Sequence, residues 1–439
     1  MRHPKTVEPN LETVHKRLAS VHARRQSLHL TVSVIGGLLF VPMYFLGLWL
    51  LDQRIVGQLF LNTLLWCTLP YLFAVRLLYN SVNLPYSEQR AILLVNTVLP
   101  FLLLVLLLAL LQKPYSRSAL VLAGSITLIW FWLADRWARR SEKLQLLMLD
   151  DKVKQELAEQ LGRHANLVNE RIELIAWADS PNDLNLFDGL LLSVHPKLDA
   201  NQQIQLSKAK QMHMRIYTPP AIFELLTGRK SKAVSQDPLW QPDGNPAYDL
   251  GKRAVDLLVT LVTAPGWVPL ALLVALTIKA TDSGPIIFSQ WRIGRHGKPF
   301  RIYKFRTMVA QQEVTTQFAQ KNDKRITGLG QFLRKTRLDE IPQLANVLIG
   351  QMSLIGPRPE QYSFVSQFAT EIPSYPYRHL VRPGITGWAQ VMQGYAASTE
   401  ETSVKLSYDL YYVSHYSLSL DLLIVAKTIK TVCTGSGAR

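Results

Sequence analysis

At 439 residues, with a formal net charge of +16, 48% hydrophobic residues and only 18% charged ones, the chain is too long for one ordinary domain and too apolar for a purely soluble protein of its size. The basic surplus points to nucleic acid, anionic lipid or phosphorylated substrates and does not choose among them. The two cysteines, Cys67 and Cys433, lack metal-ligand spacing and argue against a disulfide framework.

The first apolar run begins near residue 29, after a polar, basic arm, and is too long for the core of a cleavable signal peptide. Four such runs follow one another, at 29–51, 55–75, 91–111 and 118–134. Each is long enough to cross a hydrocarbon core of about 30 Å as a helix of about 20 residues. Residues 1–143 are therefore predicted to form a basic arm and a four-helix transmembrane region. Arg2, Lys5, Lys16, Arg17, Arg24 and Arg25 precede the first run, and Arg136, Arg139, Arg140 and Lys143 follow the fourth. The loops between are poorer in Lys and Arg, so both ends are expected in the cytoplasm.

From 144 to 235 the texture changes. LQLLMLD, RIELIAWAD, FDGLLLSVHP and MRIYTPP read as short buried strands, separated by helix-prone segments such as DKVKQELAEQLGRH. This alternation predicts a small Rossmann-like α/β domain with a parallel sheet. It has neither G-x-G-x-x-G nor a P-loop, and no chemistry is assigned to it. Residues 236–252, rich in Pro, Asp and Gly, read as a linker.

Residues 253–281 are apolar but broken by Pro265, Gly266 and Pro269, with Lys252 and Arg253 before them and Lys279, Arg292 and Arg295 after. A helix that bends at Pro265 and returns to its face of entry keeps both basic flanks in the cytoplasm. A kinked fifth crossing is the alternative.

The remainder, 282–439, is expected to be a mainly helical catalytic domain. WRIGRHGKPFRIYKFRTM at 291–308 carries Lys304 among six basic residues, in a strand pattern suited to phosphates or anionic headgroups. Further on, RLDEIPQLANVLIGQMSLIGPRP places Asp339 beside Glu340 before a helix, with Arg337 upstream and Arg358 between two prolines. Acids at a helix start are common caps. Two carboxylates among so many cations, Arg382 included, also suit a divalent metal bridging acid and phosphate. The residues alone leave both readings open.

KFRTM at 304–308, TRLDEIPQLANVL at 336–348, MSLIGPRP at 352–359, RPGITGWAQV at 382–391 and YDLYYVSHYSLSLDLLIVAKT at 408–428 resemble the bacterial sugar transferase family, the monotopic polyprenyl-phosphate sugar-1-phosphate transferases. The resemblance runs from about 248 to the C-terminus, and the N-terminal helices and middle module resemble its large branch. It implies transfer of a sugar-1-phosphate, a hexose by analogy with that branch, from a UDP-sugar to undecaprenyl phosphate. UMP is released, Mg2+ is the cofactor, and the product starts a surface polysaccharide or O-antigen.

By that resemblance Asp339 is the nucleophile that forms a phosphosugar-aspartyl intermediate. Glu340 supports it as base or metal neighbour, and both acids would ligate the metal. Lys304, Arg337, Arg358 and Arg382 match phosphate-binding positions, and 253–281 matches a re-entrant helix. The break here reads Ala-Pro-Gly where a Ser-Pro-like pair is expected. A bacterial inner-membrane enzyme facing the cytoplasm is implied, in contact with membrane lipids, with a homodimer conceivable through the extra helices and middle domain. A non-catalytic scaffold for polysaccharide assembly would not need Asp339, Glu340 and Arg358. A nucleic-acid partner lacks any recognised motif, so none is expected.

Overall fold

The computed structural model describes residues 35–38, 42, 54–80, 84–141, 143–150, 152–162, 166, 168, 172–177, 187–194, 196, 198–212, 214–231, 246–281, 284–309, 325–393 and 399–434. The chain divides into two compact units, Met1–Gly228 and Arg229–Arg439.

In the first unit, α1 (Arg54–Asn80), α2 (Gln89–Leu110) and α3 (Arg117–Ser141) pack on one another. Phe60, Leu64, Cys67, Phe101, Leu104, Leu108 and Phe131 form their shared core. Yet Leu69, Leu72, Leu102, Leu106 and Val121 on the same helices are exposed. Helices apolar on every side are built for a lipid surround. Among the described residues four helices are long and apolar enough to cross a membrane: Gly57–Leu78, Tyr86–Leu110, Arg117–Arg136 and Ala264–Thr281. Three of these correspond to the second, third and fourth N-terminal runs, and the chain is accordingly a membrane protein. Most of the 29–51 run lies outside the described residues, with Ile35–Leu38 helical.

The alternating segment forms β1 (Leu144–Met148), α4 (Lys152–Leu161), β2 (Ile172–Ala176), β3 (Gly189–Leu191), α5 (Ala200–Gln211), β4 (Ile216–Tyr217) and α6 (Pro219–Thr227). The four strands are all parallel, in the order β2-β1-β3-β4. Leu146, Met148 and Leu191 pack with Val153, Leu157 and Leu161 of α4 and Ile222 and Leu226 of α6. Leu147, Leu190 and Leu192 pack with Leu206 and Ala209 of α5. With both faces covered, the central strands are mostly apolar rather than alternating, as residues 146–148 of β1 and GLLL are, while Gln145 and Glu173 pair on β1 and the edge strand β2. The chain order reverses between β1 and β3, as in doubly wound sheets.

The second unit opens with α7 (Pro246–Val262), which begins inside the segment read as a linker. Proline is well placed there, because its missing N–H is one that the first helical turn leaves unpaired anyway. Thr263 separates α7 from α8 (Ala264–Thr281), and its hydroxyl donates back to the Val259 carbonyl (2.6 Å). The interruption thus falls at Thr263, while Pro265 is accommodated in the first turn of α8.

Both helices return to the same body. Arg253 of α7 donates to the Val347 and Leu348 carbonyls (2.5 and 3.0 Å), and Asp256 accepts from the Leu354 amide (3.1 Å). Val274 and Ile278 of α8 pack with Phe305 and Leu333, against which Leu338 and Ile341 also lie.

That body comprises the antiparallel hairpin β5 (Ile287–Ile293) and β6 (Pro299–Phe305), α9 (Gly328–Thr336), a 3-10 turn at Leu338–Glu340 and α10 (Gln343–Ile349). There follow β7 (Ser353–Ile355), α11 (Tyr362–Glu371), a 3-10 segment at Tyr375–Leu380 and β8 (Gly384–Thr386), which pairs in parallel with β7. The helices α12 (Trp388–Met392), α13 (Thr399–His415) and α14 (Leu418–Thr434) complete it. The carboxylate of Asp421 on α14 accepts from Tyr248, Lys252 and Tyr412 and ties the start of α7 to this body.

Candidate active site

The acidic pair sits in a turn forced by its neighbour. Arg337 ends α9 in the left-handed region (φ 59°) and at once opens the 3-10 turn that carries Asp339 and Glu340. A non-glycine residue there is strained, and such strain concentrates at functional sites. Neither acid caps a helix: Pro342 occupies the N-cap of α10, and no side chain caps that helix or the turn before it. The cap reading left open by the residues is thereby removed.

Both carboxylates are buried, at 8% exposure for Asp339 and 7% for Glu340, but they are treated differently. Glu340 Oε1 accepts from Lys304 Nζ at 2.8 Å and from Arg358 Nη2 at 2.9 Å, with Arg337 Nη1 at 3.9 Å. Burial alone would raise the Glu340 pKa, but Arg358, Lys304 and Arg337 outweigh it and hold the carboxyl well below the usual range. Asp339 has no such clamp. Burial, followed by the charge of Glu340, raises its pKa against the pull of Lys304, Arg337 and Arg358, and among the described residues its Oδ1 is buried without a hydrogen-bond partner. One acid is neutralised and fixed. The other is left with a free oxygen in a cationic pocket. Burial lowers the Lys304 pKa and the Glu340 charge opposes it, whereas Glu340 raises that of Arg358.

The structure therefore brings Asp339, Glu340, Lys304, Arg337 and Arg358 together. Arg382 is grouped elsewhere: its pKa is lowered by burial and then by Arg295 and Arg253, and it lines a small cavity with Asp249, Lys252, Asp256, Arg295 and Ser353. Among the described residues no ion pair joins it to the acidic pair.

The bacterial sugar transferase sequence profile matches residues 247–435. An N-acetylgalactosamine phosphotransferase of Aeromonas hydrophila, named for UDP-N-acetylgalactosamine and undecaprenyl phosphate, is 39% identical over 385 residues, covering 86% of this chain and 88% of that protein. The chain belongs to the bacterial sugar transferase family. It is a membrane transferase of that family. Its likeness to the UDP-glucose:undecaprenyl-phosphate glucose-1-phosphate transferase of Klebsiella pneumoniae is 39% over 220 residues, so the chain matches about half of that relative (47%). The exopolysaccharide production protein PSS of Rhizobium leguminosarum bv. phaseoli is 39% identical over 191 residues, 95% of its length.

Two residues that place this sugar transferase site went unassigned in the sequence. Asn346, fully buried, accepts from the Tyr303 amide (3.2 Å) and donates to the Arg301 carbonyl (2.7 Å), stapling α10 to the strand that carries Lys304. A polar amide within the apolar run LANVLIG was its signal, since a buried amide must find partners. Arg378 donates to the Arg358 carbonyl at 2.9 Å. Nothing in YPYRHLV distinguishes it from a surface arginine.

Proposed function

We propose that the chain transfers a sugar-1-phosphate from a UDP-sugar to undecaprenyl phosphate through a covalent enzyme intermediate. The reading is carried by Asp339, a buried carboxylate with a free oxygen, beside a Glu340 that three cations neutralise. A carboxylate attacks phosphorus effectively when the donor's charge is neutralised and the reacting atoms are held in line. An Asp339 oxygen attacks the phosphorus bonded to the sugar. The bond from that phosphorus to the UMP oxygen breaks, and UMP departs. An oxygen of undecaprenyl phosphate then attacks the same phosphorus, expelling the Asp339 carboxylate and leaving a lipid-linked diphosphosugar.

Glu340 holds Lys304 and Arg358 where the donor phosphates approach, and Arg337 adds charge at the rim. Arg382 is a candidate contact for the distal end of a substrate. The free Asp339 oxygen and the unclamped side of Glu340 suit a hard cation such as Mg2+, which commonly takes one or two carboxylates plus substrate phosphates. Bound there, it would supply charge neutralisation for the phosphates.

The membrane arrangement proposed for 253–281 is re-entrant. It is supported by α7 and α8 both packing on the body that carries residues 338–349, and by basic residues on both flanks. The enzyme is placed in the bacterial cytoplasmic membrane with its site facing the cytoplasm, where UDP-sugars are made.

The relative matched along most of its length is named for N-acetylgalactosamine, whereas the Klebsiella pneumoniae relative named for glucose matches over about half. Purified protein would be given undecaprenyl phosphate, Mg2+ and a panel of UDP-sugars that includes both, with UMP as readout. Fastest turnover is expected with UDP-N-acetylgalactosamine. UDP-sugar without acceptor should leave a sugar-phosphate mass on the peptide containing Asp339. Absence of that adduct, together with UMP release that requires acceptor, would overturn the covalent route.

A further inference from the structure

The Pro357-Arg358-Pro359 arm is held in an unusual way. Its two prolines have no N–H to donate, which leaves its carbonyls as the main backbone groups by which the arm is fixed. Four successive carbonyls are each taken by a different group. Pro357 accepts from the Gly384 amide (3.0 Å), Arg358 from Arg378 Nη2 (2.9 Å), Pro359 from Arg292 Nη1 (3.4 Å) and Glu360 from the Ile293 amide (3.1 Å). The bond at Arg358 itself comes from a side chain with almost no access to solvent: Arg378 is 3% exposed.

We propose that Arg378, with Asp409 as its counter-charge, is a positioning residue that sets the backbone of Arg358 and through it the guanidinium that holds Glu340. Arg378 Nη2 also meets Asp409 Oδ2 at 2.7 Å, and its Nη1 meets the Tyr375 hydroxyl at 2.7 Å. Asp409 lies on α13 and is 2% exposed on its side chain. A chain of contacts therefore runs from Asp409 through Arg378 to the Arg358 carbonyl, and from the Arg358 side chain to Glu340 Oε1. The guanidinium spreads these partners over two nitrogens held in one plane, whereas an ammonium would have to reach all three from a single nitrogen. A buried ion pair is weak support for stability by itself, and the bond to the Arg358 carbonyl lies outside that pair. Arg378 touches none of the reacting atoms.

The proposal rests on the reading that Arg358 serves phosphoryl transfer, and the test separates the two. Transfer would be measured with UDP-N-acetylgalactosamine, or the most active sugar of the panel, and undecaprenyl phosphate, with rates per folded molecule. Arg378→Lys keeps the charge and loses the fork. Its kcat should fall by about tenfold to a hundredfold, the scale of a misplacement near 1 Å, with KM for the UDP-sugar within about threefold. Should this variant fail to fold, Arg378→Met combined with Asp409→Leu removes both buried charges and carries the same expectation.

The deciding measurement is a cycle with Arg358→Ala. With the guanidinium gone, the additional loss from altering Arg378 should shrink to within about twofold. Losses that simply multiply, or a kcat near wild type in the folded Arg378 variants, would overturn positioning and leave a structural ion pair. If Arg358→Ala alone leaves transfer unchanged, the reading of Arg358 fails and the positioning proposal falls with it, an outcome distinct from the other two.

Discussion

The parallel sheet at 144–227 and the body at 246–434 spend their interiors differently. Among the described residues the sheet region buries one charged side chain, Glu224, and its core is mainly aliphatic, with Phe187, Phe223 and Met148 among the leucines, packed on both faces. The second region buries Asp256, Asp339, Glu340, Arg378, Asp409 and Asp421. Burying a charge is expensive unless it is paired and hydrogen-bonded. Arg378 and Asp409 meet that condition, as do Glu340 and Asp421. Asp256 and Asp339 each keep one oxygen unsatisfied, but Asp256 accepts from the Leu354 amide through the other, so Asp339 meets it least. The difference teaches where to look for chemistry: in the region that carries buried charge, and there at the group whose compensation is incomplete.

The largest expected effect breaks the comparison at its centre. Asp339→Asn keeps shape and hydrogen bonding but loses the anion, so transfer should fall by several orders of magnitude, upward of about 4 kcal/mol at about 1.4 kcal/mol per tenfold. Folding should survive, because Asp339 caps nothing. UMP release at a near wild-type rate would reduce Asp339 to a bystander. In the sheet the expectation reverses. Leu146→Ala, at a fully buried position, should destabilise that unit by about 2–5 kcal/mol and leave kcat per folded molecule unchanged. A kcat that fell with stability would show that the middle module participates in turnover.

Much of this contrast was legible in the sequence, for physical reasons that also explain what was not. LQLLM and GLLL read as short buried strands and the polar segments between as helices, and the fold has the parallel sheet that this alternation suggests. Lys304, Arg337, Arg358 and Arg382 read as phosphate-binding positions by resemblance, and it is the fold that shows the first three also facing Glu340. Three features needed the fold. The helix break was placed at Pro265, but a proline in a first helical turn fits without loss, and the chain yields at Thr263, whose hydroxyl bonds back to Val259. Residues 246–252 read as linker for the same reason, since Pro246 opens α7 instead of ending a loop. Arg382 looked equivalent to the other arginines. The pairing of β8 with β7 decides where VRPG runs, and it carries Arg382 toward Arg295 and Asp249 rather than the acids.

A smaller effect sharpens the role of backbone strain. Arg337 holds a left-handed conformation that glycine adopts freely. Arg337→Gly should therefore leave stability unchanged or raise it by up to about 1 kcal/mol, while turnover drops because a rim cation is lost. Thermal unfolding and kcat measured on the same sample would show the two moving in opposite directions. A loss of stability would mean that the contacts of the Arg337 side chain, the one to Glu340 at 3.9 Å among them, matter more than the strain.

The smallest effect is a displacement along the pH axis, and its direction tests the electrostatics of the pair. The Asp339 pKa is raised by burial and then by the Glu340 charge, while Lys304 and two arginines pull it down. Because the attacking group must be ionised, kcat/KM should fall as pH drops through that raised value, above the ordinary range for aspartate. Glu340→Gln removes the like charge and frees Lys304 and Arg358 to face Asp339, so the acid limb of the residual activity should move to lower pH. Lys304→Met removes a cation and should move it to higher pH. Stability follows the same logic. A carboxyl with a raised folded pKa opposes folding once it ionises. Asp339→Asn should thus be more stable than wild type at neutral pH, with the advantage fading as pH falls toward the ordinary carboxylate range. Glu340, held below its ordinary value, contributes the opposite: stability present above the unfolded glutamate pKa and lost as pH falls below it. Loss of the acid limb altogether in Glu340→Gln would mean that Glu340, not Asp339, is the group whose ionisation the reaction requires, and the roles of the two acids would have to be exchanged; a limb that moved upward would mean that the Glu340 charge does not raise the Asp339 pKa.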